Sequence, residues 1–235
     1  MLDEIDAVDW GSVPGHPDWY EPDRAVQGLR ALAEAANLLQ AAQAGSWLGG
    51  GGIVHGHSGA VFPAAVVAVP LLLDIAELGH PAAGATALGL IDEALSCHPH
   101  AGYTRVVVPD GSAVPLCCAI AHRLRARTDF LAGLGRRGRS LLADAAVHWR
   151  FEVRECVADG SDTAAFGILA GRLPDGVHLA ETHRADAGTP LSELTLLYPP
   201  VDGSPEACLR VIARQPGEVP PGSVLFPAEC GDRAH

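Results

Sequence analysis

The chain has 235 residues, 48% of them hydrophobic, with a formal net charge of −12 at neutral pH. That is ample apolar material for a packed core, and the wrong sign for general attraction to nucleic acid. All sixteen basic residues are arginine, which excludes mechanisms built on a P-loop lysine, a Schiff-base lysine or a kinase-type phosphate lysine.

The first 23 residues carry seven acids and no base. Trp10, Trp19 and Tyr20 lie within this acidic lead and are candidate binding residues, because large rings among carboxylates either dock on the fold or meet a basic partner. The lead begins with neither the basic nor the apolar region of a secretory signal, so a cytoplasmic protein with reduced cysteines is expected. Helical spacing of Val26, Leu29, Leu32, Ala33, Ala36 and Leu39 predicts one helix over 23–44, stopped by Gly45.

Next comes a glycine-rich turn, His55-Gly56-His57-Ser58-Gly59, and a run without charge from Ala60 to Leu73. The run is short of the roughly 20 apolar residues of a membrane span and contains Pro70, so it predicts a buried helix. Ser58 has two readings. As a nucleophile with His55 or His57 as its base, it needs the strained turn of a Gly-x-Ser-x-Gly elbow, and Ala60 replaces the second glycine. As a helix N-cap, its oxygen accepts an otherwise unpaired backbone N–H. His55 and His57 are also candidate binding residues, since two imidazoles on one turn can grip a ligand.

A third helix is predicted over 81–95, a short extended piece over 105–108, a fourth helix from the Ser112 cap to about 131, and a fifth over 139–147. The loop with Cys97, His98 and His100, and the i, i+4 pair Cys118 and His122, offer sulfur and imidazole donors. Cys97, His100, Cys118 and His122 are therefore the alternative metal set. They lack a recognised ligand spacing, and the reading without a metal or any other cofactor is preferred. The arginines between Arg123 and Arg139 are read as a solvated face or a contact for an acidic protein.

From Trp149 the apolar period changes from 3.6 to 2. Strands are predicted from 151 and over 164–170, 177–182, 193–198, 207–213 and 224–226, separated by turn signals. The fold class expected is α+β, with a helical domain over 1–147 and a small antiparallel β-barrel over 148–235.

The segment Leu29 to Leu95, with Ala64-Ala65-Val66-Val67-Ala68-Val69-Pro70-Leu71-Leu72 after a histidine-containing turn, resembles bacterial HEAT-like helical repeat proteins. The second half resembles the domain-2 β-barrel of translational GTPases, on a Phe151-x-Val153 strand, Thr163, Gly167, Gly171, Gly176 and Pro221-Gly222-Ser223-Val224-Leu225. These resemblances imply an α-solenoid-type binding scaffold joined to a barrel. With the arginine-only, alanine-rich composition they imply an actinobacterial source. The function expected is a non-catalytic protein-interaction module, an immunity or regulatory partner that recognises a protein with a basic surface. The alternatives are a hydrolase at Ser58 or a metal-dependent enzyme at the Cys97/His100/Cys118/His122 set.

Overall fold

The computed structural model describes residues 1–108, 111–183, 190–201, 204–212 and 219–232. Within them the protein is a mixed α+β fold: a helical half, followed by a closed six-stranded antiparallel barrel.

The lead forms a short helix, α1 (Leu2–Asp6). The single helix expected over 23–44 is instead a hairpin of α2 (Pro22–Glu34) and α3 (Leu38–Gly49). The break has a local cause. The Asn37 side chain accepts the backbone N–H of Gln40 at 3.0 Å and starts a new helix, which the alanine and leucine spacing on either side conceals. The hairpin closes tightly because Gly28 has no side chain. A Cβ there would lie 2.7 Å from Leu48 Cγ. Gly45 sits inside α3 rather than ending it.

Strands β1 (Val54–His55) and β2 (Ala60–Val61) pair antiparallel and lead into α4 (Ala64–Leu78) and α5 (Pro81–Ser96). Helix α4 runs on through Pro70, and Ala64, Ala65, Ala68, Val69, Leu72 and Leu73 are buried. Strand β3 (His98–Pro99) joins β2 in parallel, and β4 (Arg105–Val107) pairs with β5 (Ala113–Pro115). The helix expected to begin at Ser112 therefore begins later. Residues 113–115 are held extended by the β4 ladder, with Val106 opposite Val114, and α6 spans Leu116–Arg125. Short α7 (Thr128–Gly133) and α8 (Arg136–Val147) complete the half.

The barrel strands are β6 (Arg150–Asp159), β7 (Asp162–Ala170), β8 (Val177–His183), β9 (Leu191–Tyr198), β10 (Glu206–Ile212) and β11 (Val224–Pro227). They close in the order β10-β7-β6-β11-β8-β9. Ala213, the expected end of β10, lies outside the described residues. Alternation fills the inside with Phe151, Val153, Ala165, Leu169, Leu194, Leu209 and Val211. Gly167 lets β7 pass against β6, because a Cβ there would strike the Glu152 carbonyl.

After β11 the chain turns back as α9 (Ala228–Asp232), and Phe226 and Cys230 join the helical core rather than the barrel interior. The two apolar cores thus divide near Trp149, and the C-terminal strand and helix cross between them. Among the described residues no helix is long and apolar enough to cross a membrane.

Candidate functional site

Three places carry chemistry. The first is a histidine–aromatic face. Pairing of β1, β2 and β3 sets the 55–59 turn beside residues 97–100, and the acidic lead lays His16 and Trp19 over both. Trp19 stacks on His55 at 5.4 Å between ring centroids and meets His100 edge-on at 4.1 Å. His16 lies 4.9 Å from His100, and His55 lies 6.2 Å from His57. Beneath the turn, Gly56 faces Glu93, whose carboxyl is pushed up by burial.

Ser58 is not a helix cap. Helix α4 starts at Ala64 with Pro63 at its cap, because Ala60 and Val61 are taken into the hairpin with Val54 and His55. The Ser58 hydroxyl instead lies 2.8 Å from His55 Nδ1 and also donates to the His55 carbonyl at 3.2 Å. This is a serine–histidine contact within one turn. Among the described residues no carboxylate hydrogen-bonds His55, so the third member of a hydrolytic triad is not assembled there.

The three lead aromatics part company. Trp10 is buried and its Nε1 donates to the Ile5 carbonyl at 2.9 Å. Tyr20 is buried and its hydroxyl donates to the Trp10 carbonyl at 3.1 Å. Burial pushes the Tyr20 phenol up to about 12. Trp19 is half-buried, and His57 is exposed.

The second place is a buried cysteine–histidine cluster. The alternative metal set does not assemble: Cys97 and His100 belong to the Trp19 face, whereas Cys118 and His122 lie on α6. Among the described residues, the group that converges is Cys117, Cys118, His148 and Cys230, whose donor atoms all lie within 4.8 Å of one another. Cys117 and Cys118 come from the first turn of α6, His148 from the end of α8 and Cys230 from α9. All four are between 2% and 6% exposed, and His148 Nδ1 is 3.3 Å from Cys230 Sγ. Burial holds the Cys118 thiol well above its ordinary value, and hydrogen bonds from the Cys118 and Cys230 thiols draw Cys117 down.

Arg125 lies alongside. Its Nη1 donates to the Ala145 carbonyl at 2.7 Å and the His148 carbonyl at 3.1 Å. Its Nε and Nη2 are buried without a hydrogen-bond partner among the described residues. Sequence reading missed Cys117, His148 and Cys230 because His148 and Cys230 stand 82 residues apart. The adjacent Cys117-Cys118 pair on a helix start was the one available signal.

The third place is a cavity of about 400 Å³ between the halves, lined among others by Val66, Cys118, His122, Arg123, Arg150 and Phe226. His122 is held below its ordinary value, first by burial and then by Arg125, Arg150 and Arg123. Close by, an ion pair joins the two halves. Arg105 of β4 makes two hydrogen bonds to the buried Glu181 of β8, at 2.8 and 2.5 Å, and His183 adds a contact at 3.0 Å. Gly231 of α9 packs directly on that ion pair, so a side chain there would strike Glu181 and Arg105.

Fold and site together define an α+β protein with a buried thiol–imidazole cluster at the seam of its halves. Compared with models of known families, with curated proteins and with solved structures, the chain matches none.

Proposed function

We propose that this chain is a non-catalytic protein-interaction module, an immunity or regulatory partner working in the cytoplasm, that recognises a protein with a basic surface. The observation that carries the reading is the way the lead folds. Ile5, Trp10 and Tyr20 are buried in the helical core while all seven acids of the lead stay exposed. The acids are thereby fixed on a folded surface, where complementary charge steers encounter and sets register. Arg30 pairs with Asp6, and Arg24 pairs with Glu21 at 2.7 Å. Asp3, Asp9, Asp18 and Asp23 remain facing outward for a partner's arginines and lysines.

The helical half serves as a HEAT-like scaffold in this reading, supported by consecutive helices packing as neighbours, α2 on α3 and α4 on α5. The barrel is of the kind found as domain 2 of translational GTPases, without a GTPase role, since the chain has no P-loop lysine. The arginine-only composition supports an actinobacterial source.

Capture from a lysate of the source bacterium tests the proposal, with wild-type bait beside a variant carrying Asp3→Asn, Asp9→Asn, Asp18→Asn and Asp23→Asn. The expected result is a partner with basic surface residues that is retained at low salt, released at high salt and lost in the equally stable variant. Equal recovery by both baits, or no salt-sensitive partner, overturns the reading. A hydrolase at Ser58 is the second reading, favoured by the 2.8 Å contact to His55. Fluorophosphonate labelling of the native protein that disappears in Ser58→Ala would establish it.

A further inference from the structure

We propose that Cys117, Cys118, His148 and Cys230 are the ligands of a structural zinc ion that clamps the C-terminal helix to the helical core. The inference is independent of the interaction reading.

The donor set is the first argument. Three sulfurs and one imidazole nitrogen make a complete four-coordinate Cys₃His shell of the kind zinc takes in structural sites, with no position left for water. With zinc–sulfur bonds of about 2.3 Å, tetrahedral sulfurs sit roughly 3.8 Å apart. Donor atoms already within 4.8 Å of one another need only a small inward movement to reach that geometry. A disulfide explains the cluster less well, because it uses two sulfurs and leaves the third cysteine and the histidine without a role.

Charge is the second argument. Bound to the ion all three cysteines are thiolates, any thiol proton passing to solvent, and three thiolates with Zn²⁺ carry a net charge of −1. Such a charge in the interior needs a partner. Arg125 supplies one: its guanidinium is pinned by the Ala145 and His148 carbonyls, and two of its nitrogens are buried without a hydrogen bond among the described residues. Among the described residues those two buried nitrogens meet no acceptor. With the metal the guanidinium faces a complex of opposite charge. The start of α6, a helix of ten residues, adds its positive end beside Cys117 and Cys118. The same Arg125–His148 contact fixes the backbone of the one nitrogen ligand, as the surroundings of metal sites commonly do.

Connectivity is the third argument. The ligands come from α6, α8 and α9, so one ion ties the five-residue α9, which follows the last barrel strand, to two helices of the helical half. The helix is only five residues long, with Ala228 and Cys230 as its buried apolar side chains, and a metal is a usual remedy for a small element with little core of its own. The neighbouring cavity, whose wall includes Cys118, provides an approach for the ion.

The test begins with the wild-type chain purified under reducing conditions without added metal. Elemental analysis is expected to find about one zinc per chain. Exchange for Co²⁺ is expected to give the intense visible bands of a tetrahedral site with thiolate charge transfer in the near ultraviolet. Cys118→Ser, Cys230→Ser and His148→Ala are expected to weaken zinc at least tenfold in competition with a chromophoric chelator. His148→Cys keeps it as a Cys₄ site, and Cys97→Ser and Cys208→Ser leave it unchanged. Folded wild-type protein with less than a tenth of an equivalent of zinc and no cobalt spectrum after anaerobic reconstitution overturns the proposal. So does stoichiometric iron or copper in its place, or zinc retained by Cys118→Ser and Cys230→Ser alike. These readings come from the wild-type chain first, so a variant that fails to fold does not blunt the test.

Discussion

The histidine–aromatic face and the cysteine cluster make opposite use of the same kinds of side chain. Around Trp19, His55 and His57 crowd one turn and His16 and His100 join them, all half-buried or exposed, where they stack on rings or bond within their own turn. At the seam, four donors scattered between residues 117 and 230 converge out of solvent beside a buried guanidinium. Crowding of polar residues in sequence is therefore a weak guide to chemistry, because an exposed imidazole is satisfied by water. Burial is the stronger guide, since a buried thiol or cation must be paired, coordinated or paid for in stability.

Mutations at the two places should separate sharply. The largest effect is expected at the seam. Removing zinc with a chelator, or replacing Cys230 by Ser, should lower stability by about 4 kcal/mol, the stabilisation a ligand gives at a thousand times its dissociation constant. Hydrogen exchange should rise first in α9 and β11. The double change His55→Ala, His57→Ala should leave zinc content and α9 exchange untouched, and a comparable loss there would erase the contrast.

Next in size is the ion pair that joins the helical half to the barrel. Glu181→Gln removes the carboxylate charge and one of the two oxygens that accept from Arg105 and His183, and should cost about 1–3 kcal/mol in denaturant melts, less than a fully buried pair because Arg105 is partly exposed. The same residue sets a pH dependence. Burial by itself raises the Glu181 carboxyl, but hydrogen bonds from His183 and Arg105 outweigh it and hold the group below its ordinary value. A carboxyl depressed in the folded state binds fewer protons there than in the unfolded chain, so its stabilisation is complete above the unfolded value of about 4.3 and fades as pH falls through the folded one. Glu181→Gln should flatten the stability profile in that acid window.

Smaller changes sharpen the other side of the comparison. Trp19→Ala should cost about 1–2 kcal/mol through lost ring contacts and area, with loosening confined to the lead and the 55–59 turn. Ser58→Ala should cost about 1 kcal/mol or less, the net worth of an ordinary hydrogen bond. Ser58→Asp should fare no better, because the hydroxyl bonds His55 in a hairpin turn and no helix begins there. A melt in which Asp restores what Ala loses would return Ser58 to a capping role.

The sequence by itself determined the barrel to within a residue or two at most strand ends, along with the change of period at Trp149 and the buried character of α4. These follow from signals that act over a few residues: alternation along a strand, Asp-Gly and Pro-Gly at turns, an uncharged run too short for a membrane. The acidity of the lead was equally legible. Tertiary structure alone decided the rest. Asn37 divides an apparently continuous helix because α3 must fold back on α2, and residues 60–61 and 113–115 become strands because partners distant in sequence hold them extended. Trp10 and Tyr20 turned inward while Trp19 stayed half-exposed, a choice made by the surface beneath them. Above all, Cys117 and Cys118 meet His148 and Cys230 only once β11 has closed the barrel and delivered α9 to the helical core. Donors separated by tens of residues share no local pattern, since what unites them is a common buried volume, and burial is a property of the folded chain.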